Sequence, residues 1–453
     1  MYEVMGFGPQ EALDWSLVRT LRETVVDRLS KADVAEAHKR ERGRDLTRQV
    51  VSEWMHEQVT NGHRPSSEYA LRLQNAIFAA VFELGRLQPL LRPDVENIEI
   101  HGHDITWLQL TDGTRQRGPA VAESDDELVQ ELQFLASRQG RSLSTSNPRL
   151  HMELPDGSRL AAVIATTRRP HVVIRRHLLQ HADLNELVRR RMLTPAAAQF
   201  LEAAVLTRHN IVVCGGQGSG KTTLVRSLAD LIPATDRWAT AEQEYELHLD
   251  KLMQGPGVVR HPHLVAFQAR QGGSELGVDG RSAGEVTLEE IVRDALRMNL
   301  TRIMVGEVRG PEVVPMLDAM STGDGGSMCT LHARSARDAV ERLVVLCGRS
   351  QATLTPDISY RWIAGSVDLI VHVDMRQEFT AHGTRTVRVV DQITEVVGVG
   401  EGGLPSMNDL FRSTETTVEA AATGLMPKRA DDLRRAGWRP STEGLSPALE
   451  VHP

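Results

Sequence analysis

The sequence predicts an α/β fold, and three observations carry that reading. A short apolar run, Ile211 to Cys214, leads into GGQGSGKTT (Gly215 to Thr223), after which Leu224, Val225, Leu228 and Leu231 recur at helical spacing until Pro233. Downstream of that loop, strand and helix signals alternate, the pattern of a sheet covered by helices on both faces. Upstream, Pro89 to Arg176 carries the text of a second, smaller α/β domain, itself preceded by a helical extension. The division expected is a helical extension over 1–88, the smaller domain over 89–178, a linker over 179–194, the main domain over 195–412, and a peripheral helix and tail over 413–453.

A chain of 453 residues with 41 % hydrophobic and 25 % charged side chains has ordinary globular composition and room for two or three cores. Its net charge of −8 argues against bulk binding to nucleic acid, which favours basic chains, so no direct nucleic-acid partner is expected. No apolar run reaches the length of a membrane span, and the start MYEVMGFGPQEALDW lacks the basic and apolar regions of a secretory signal, so a cytoplasmic location is expected. Cys214, Cys329 and Cys347 stand alone, which suggests neither a disulfide framework nor a zinc site.

In chain order, Leu13, Leu17, Leu21, Val25 and Leu29 make an amphipathic helix that runs into the charged segment Lys39 to Arg48. Tyr69 to Leu84 reads as a further helix after a linker over 61–67. NIEIHG and DITWLQL read as strands with a corner at Thr111-Asp112-Gly113, and Ser124 with Glu127 as a capping box for a helix that buries Leu128, Leu132 and Leu135. A turn at Asp156-Gly157 leads to the strands RLAAVIA and HVVIRRH. Thr194 and Pro195 open a helix as N-cap and N1. After the glycine-rich loop come the strands RWATAEQ and VVRHPHLVAFQ and a second glycine-rich stretch, Gly272 to Gly284. Thr287 and Glu290 then cap a helix with Leu288, Ile291, Val292, Ala295 and Leu296 inward, which delivers the strand Ile303 to Val305. Ser335 caps another helix through Leu346, and LIVHV and RTVRVVDQITEVVG read as two late strands.

Gly215, Gly220, Lys221 and Thr222 satisfy G-x-x-x-x-G-K-[ST], and the spacing has a mechanism. Glycines let the N–H groups of Gly215, Gly216, Gln217, Gly218, Ser219, Gly220 and the helix start Lys221 to Thr223 turn toward phosphate, with the helix N-terminus behind them. Lys221 is one of only five lysines, with Lys31, Lys39, Lys251 and Lys428. It reaches the β- and γ-phosphates, and Thr222 offers a hydroxyl to Mg2+. Such chemistry also needs an acid at the end of an apolar strand, and IMVGE supplies Glu307, with Arg309 two residues on.

Three boxes in order, GGQGSGKTT, RIMVGEVRGPE (Arg302 to Glu312) and STGDGGSMCTLHARS (Ser321 to Ser335), resemble the Walker A, Walker B and histidine boxes of the type II/IV secretion ATPase superfamily, most nearly its CpaF/TadA (tight-adherence pilus) branch. ATAEQEYEL is similar to that family's acidic box at Thr240, Glu242, Glu246 and Leu247, and LPDGSRL and VVIRRH resemble its N-terminal domain. The resemblance spans about Pro89 to Phe411. It implies a RecA-like ATPase domain, a cytoplasmic homo-hexamer held at the inner membrane by platform proteins, and ATP hydrolysis that powers pilus assembly or secretion. Carried over, Lys221 and Thr222 hold phosphate and metal, Glu307 is the Walker B acid, Glu242 and Glu246 are acidic-box carboxylates, and His332 senses the γ-phosphate. Arg175, Arg270 and Arg309 are the arginines that would offset charge on the transferring phosphoryl group.

The text also departs from the family. Gln243 stands in place of an acidic-box Asp, Asp324-Gly325 in place of His-Asp, Leu300-Thr301 in place of Pro-Asp, and His151 and Glu153 in place of Asp and Arg. The losses in the acidic and histidine boxes are expected to slow turnover or shift metal coordination without abolishing activity. Two further readings stay open at this point, a DNA-translocating conjugation-type ATPase and a nucleotide-gated scaffold with little turnover.

Overall fold

The structure, a computed structural model, describes residues 13–32, 34–176, 182–255, 257–270, 284–350, 354–380, 383–414 and 417–440. The chain divides into two compact units, Met1–Leu178 and Leu179–Pro453.

The first unit opens with three helices, α1 (Trp15–Lys31), α2 (Lys39–Thr60) and α3 (Ser67–Phe82). Asp14 caps α1 by accepting from the N–H groups of Ser16 and Leu17, and Ser66 caps α3 through the N–H of Tyr69. The stripe of α1 is completed by Val18, which is buried with Leu21 and Val25 against Leu46, Val50 and Val51 of α2 and Leu73 and Ile77 of α3. The charged segment Lys39 to Arg48 is the first half of α2. Its polar faces stay in water and only Gly43, Leu46 and Thr47 of that half are buried. Glycine at position 43 makes room for the Phe82 ring, since a Cβ there would lie 2.1 Å from it and force the ring to shift.

A six-stranded antiparallel sheet follows, in the order β3-β2-β1-β6-β5-β4. Its strands are β1 (Val95–His101), β2 (Ile105–Leu110), β3 (Arg115–Gly118), β4 (Arg149–Glu153), β5 (Arg159–Val163) and β6 (His171–Arg175), with α4 (Asp125–Arg138) inserted after β3. Ile98 and Ile100 of β1, Leu160 of β5 and Ile174 of β6 bury against Leu128 and Leu132 of α4. β3 carries no apolar alternation and is absent from the sequence reading. The capping box at Ser124 forms by half: the Ser124 hydroxyl accepts from the Glu127 N–H, but the Glu127 carboxylate reaches past the cap to the N–H of Glu123. The other oxygen of Glu127 is held 2.7 Å from Arg19 of α1, which ties the helices to the sheet.

The second unit is built on a nine-stranded sheet in the order β11-β8-β12-β13-β7-β14-β15-β16-β17. Along the chain run α5 (Leu184–Arg189), α6 (Pro195–Leu206), β7 (Ile211–Gly215), α7 (Lys221–Ala229), β8 (Trp238–Glu242), the short pair β9 (Met253–Gly255) and β10 (Val258–Val259), β11 (Leu264–Gln268), α8 (Leu288–Ala295), β12 (Arg302–Val308), α9 (Val313–Thr322), β13 (Met328–Leu331), α10 (Ala336–Arg349), α11 (Pro356–Ser366), β14 (Leu369–Thr380), β15 (Gly383–Val399), β16 (Pro405–Arg412), β17 (Ala421–Ala422) and α12 (Ala430–Arg435). The strands from β11 to β14 are parallel and β15 to β17 turn antiparallel. Every residue of β7 is buried, as a parallel strand covered on both faces requires. On one face α6 and α7 pack with Leu228, Phe200 and Val371; on the other α8 to α11 pack with Val305, Leu317 and Leu343.

Thr194 caps α6 with Pro195 in its first turn, and Thr287 with Glu290 makes a complete capping box on α8. Leu296, expected inward, is 38 % exposed because α8 ends before it. The proposed linker and tail need correction over their described parts. Leu184, Leu187, Met192 and Leu193 are buried in the core of the second unit, and so are Leu433 and Trp438, whose indole meets Phe200 edge-on at 5.8 Å. The glycine-rich stretch 272–284 lies outside the described residues apart from Gly284.

Candidate functional site

The site forms at the C-terminal ends of the parallel strands, where open α/β sheets collect their ligands. Gly215 ends β7, Glu242 ends β8, Glu307 lies near the end of β12, and His332 follows β13 directly. One sheet edge therefore gathers residues that are far apart in sequence.

The phosphate loop turns on glycines at φ 156° (Gly215), 74° (Gly218) and 99° (Gly220). At Gly215 a side chain is excluded twice over, since a Cβ would lie 2.2 Å from the carbonyl oxygen of Val373 on β14. Lys221 opens α7 and is buried; its Nζ donates to the carbonyl oxygen of Gly216 at 2.7 Å, and the N–H of Ser219 points to the same oxygen at 3.4 Å. Two donors thus converge on one acceptor oxygen, the arrangement that a phosphate oxygen would satisfy. The buried Ser219 hydroxyl has no hydrogen-bond partner among the described residues.

Thr222 donates its hydroxyl to Glu246 Oε2 at 3.1 Å. Glu242 is buried, and its Oε1 accepts the N–H groups of Glu246 (2.9 Å) and Leu247 (3.0 Å). That pair of bonds folds the acidic segment back so that Glu246 faces the loop. Gln243 directly follows the end of β8 and is exposed, so the missing acidic-box carboxylate belongs to the site's edge of the sheet.

Glu307 takes Arg309 on Oε2 at 2.5 Å and has His332 Nε2 2.8 Å from Oε1. Burial works against its charge, but the bonds from His332 and Arg309 outweigh it and hold the carboxyl at about 2. Nδ1 of His332 is 3.3 Å from Lys221 Nζ, which links the acid to the phosphate loop.

The arginines separate. Arg309 is engaged by Glu307. Arg270 follows β11, four strand spacings or about 19 Å from β7 across the sheet, and its Nε donates to the Gly284 carbonyl at 2.5 Å. Arg175 ends β6 in the other unit. Sequence reasoning missed Arg388 of β15, whose Nε donates to the Gly218 carbonyl oxygen at 2.8 Å. No local pattern in the sequence marks it, because its contact depends on the order of the strands.

Asp324 and Gly325, expected to affect turnover, lie away from Lys221 and Glu307. They precede β13, whereas His332 follows it, so they lie at the opposite edge of the sheet with four strand residues, about 13 Å, between. There Asp324 pairs with Arg208 at 3.0 Å, and a Cβ at Gly325 would lie 2.7 Å from the Arg208 carbonyl oxygen. Leu300 and Thr301 precede β12 on that same far edge.

The strand order around β7 and the edge on which Lys221, Glu307 and His332 meet define a RecA-like protein of the P-loop class. The chain belongs to the type II/IV secretion system protein family, which residues 123–399 match. It is 31 % identical over 340 residues to the type IV secretion system protein PtlH of Bordetella pertussis, covering 68 % of this chain and 93 % of that one. A Mycobacterium tuberculosis protein named for conjugal transfer is 33 % identical over 302 residues, 64 % of this chain and 79 % of that one. Among solved structures, the VirB11 ATPase of the Brucella suis type IV secretion system, in complex with sulphate, is 25 % identical with a TM-score of 0.32, covering 69 % of this chain and 94 % of that one. Among the described residues no helix is long and apolar enough to cross a membrane.

Proposed function

We propose that this chain hydrolyses ATP and uses the energy to drive pilus assembly or protein secretion across the inner membrane, as a cytoplasmic homo-hexamer working on inner-membrane platform proteins. The observation that carries the reading is the convergence of Lys221, Glu307 and His332 on one strand-end edge, with Thr222 and Glu246 beside them. Mg2+, when bound through Thr222 and, by way of water, Glu307, would neutralise charge between the β- and γ-phosphates. Lys221 grips the phosphates. Glu307, at the end of its strand beside the phosphate loop, would orient the attacking water and keep a negative charge there. His332 sits where it responds to both the acid and the cation. Arg309 is poised at the same strand end, while Arg270, on the same edge but four strands from β7, and Arg175, in the other unit, would serve as cations supplied to the nucleotide of another subunit.

The tight-adherence branch is the finer assignment, supported by the boxes around Gly215, Arg302 and Ser321. A conjugation-type role with DNA as cargo is the second reading, favoured by the relative named for conjugal transfer and opposed by the net charge of −8.

Phosphate release from purified protein tests the proposal, with Lys221→Ala and Glu307→Gln alongside. We expect both variants to fall by about 100-fold or more. A wild type no faster than either variant would replace the motor with a nucleotide-gated scaffold.

A further inference from the structure

No motif points to Arg388, yet it touches the phosphate loop from 170 residues away. It sits on β15 in register with Met375 of β14, just beyond the level at which Val373 of β14 pairs with Gly215 of β7. From there its side chain crosses β14 to place Nε 2.8 Å from the Gly218 carbonyl oxygen, a bond strengthened by the guanidinium charge.

The consequence follows from peptide geometry. In a trans peptide the carbonyl of one residue and the N–H of the next point in opposite directions. Fixing the Gly218 oxygen on the β15 side therefore turns the Ser219 N–H the other way, into the hollow where Lys221 Nζ and the Gly216 oxygen meet. Gly218 sits at φ 74°, a conformation that glycine adopts without strain but does not enforce, so an outside contact is needed to hold the peptide. The stem of Arg388 backs the loop as well: a Cβ at Gly220 would be 3.6 Å from Arg388 Cδ and 3.2 Å from Met192 Cε. The same strand fixes Met192, whose carbonyl accepts the Val390 N–H at 2.8 Å.

We propose that Arg388 is a positioning residue for phosphate binding: it holds the Gly218 peptide so that the loop's N–H groups face the phosphates before nucleotide arrives. This rests on the reading of the loop as a nucleotide site. Because the phosphates are held in the ground state and the transition state alike, the effect belongs to nucleotide affinity and KM rather than to kcat.

The test compares wild type, Arg388→Ala and Arg388→Lys for affinity toward a fluorescent ADP derivative, for kcat and KM with ATP, and for nucleotide-free thermal stability. Arg388→Ala should weaken ADP binding and raise KM by about tenfold, with kcat within about threefold and the nucleotide-free melting temperature unchanged. Arg388→Lys, which keeps a donor and a charge, should recover part of the affinity. Unchanged ADP affinity in Arg388→Ala overturns the proposal. So does a loss that appears equally in kcat, or one that tracks a fall in nucleotide-free stability and is not relieved by lysine. A wild type that binds no ADP removes the nucleotide-site reading and this inference with it.

Discussion

The His332 ring spans two charges, with Nε2 2.8 Å from Glu307 Oε1 and Nδ1 3.3 Å from Lys221 Nζ. The ammonium can only donate, so Nδ1 is the acceptor toward Lys221, while Nε2 stands within ion-pair distance of the carboxylate. One imidazole thereby fixes the acid with respect to the phosphate grip. We expect His332→Ala to lower kcat by about tenfold or more while ATP affinity stays within about threefold. Steady-state kinetics and nucleotide titration check this, and an unchanged kcat contradicts it.

Asp324 lies at the far edge of the sheet, paired with Arg208. Restoring the histidine that the family carries there, Asp324→His, should leave kcat and KM within about twofold of wild type. Phosphate release under saturating and limiting ATP decides it; a severalfold gain in kcat would bring position 324 back into the chemistry.

The described tail is part of the core, since Trp438 is buried edge-on to Phe200 and Leu433 lies beside it. Trp438→Ala should destabilise the second unit by about 3 kcal/mol. Urea unfolding followed by circular dichroism would show it, and a midpoint equal to wild type would return the tail to the periphery.

His209 gives the fold a pH dependence. Burial, helped by the nearby Arg429 charge, pulls its pKa down to about 4. Between the unfolded value of 6.5 and about 4, the unfolded chain takes up a proton that the folded chain refuses, so stability falls as pH falls through that window. The slope from this one group is at most about 1.4 kcal/mol per pH unit. Urea midpoints at pH 7 and pH 5 should differ less in His209→Gln than in wild type, and an equal difference would exclude His209 as the source.

What could be read from the sequence followed the range of each signal. The phosphate loop, the caps at Thr194 and Thr287 and the strand before Glu307 are local patterns, and each formed where its spacing put it. The first half of α2 hid behind its charges because only a narrow stripe is buried. Leu184 sits in a helix of only six residues and Trp438 is an isolated apolar residue, and the burial of both depends on partners elsewhere in the chain. The two edges of the sheet are equally silent in sequence, which is why Asp324 reads like a site residue beside His332 although a whole strand separates them. Arg388 is the extreme case, since its partner at Gly218 is set by the order β7-β14-β15 and by no local pattern.

Labour is divided between Lys221, which grips phosphate, and Glu307, which serves hydrolysis. Titrating ATP into Lys221→Ala and Glu307→Gln, with phosphate release followed in the same samples, separates the two roles. Lys221→Ala should lose affinity by about tenfold or more, while Glu307→Gln should bind ATP like wild type and release phosphate about 100-fold more slowly. A Glu307→Gln protein that turns over at the wild-type rate, or a Lys221→Ala protein that binds ATP as tightly as wild type, would contradict it.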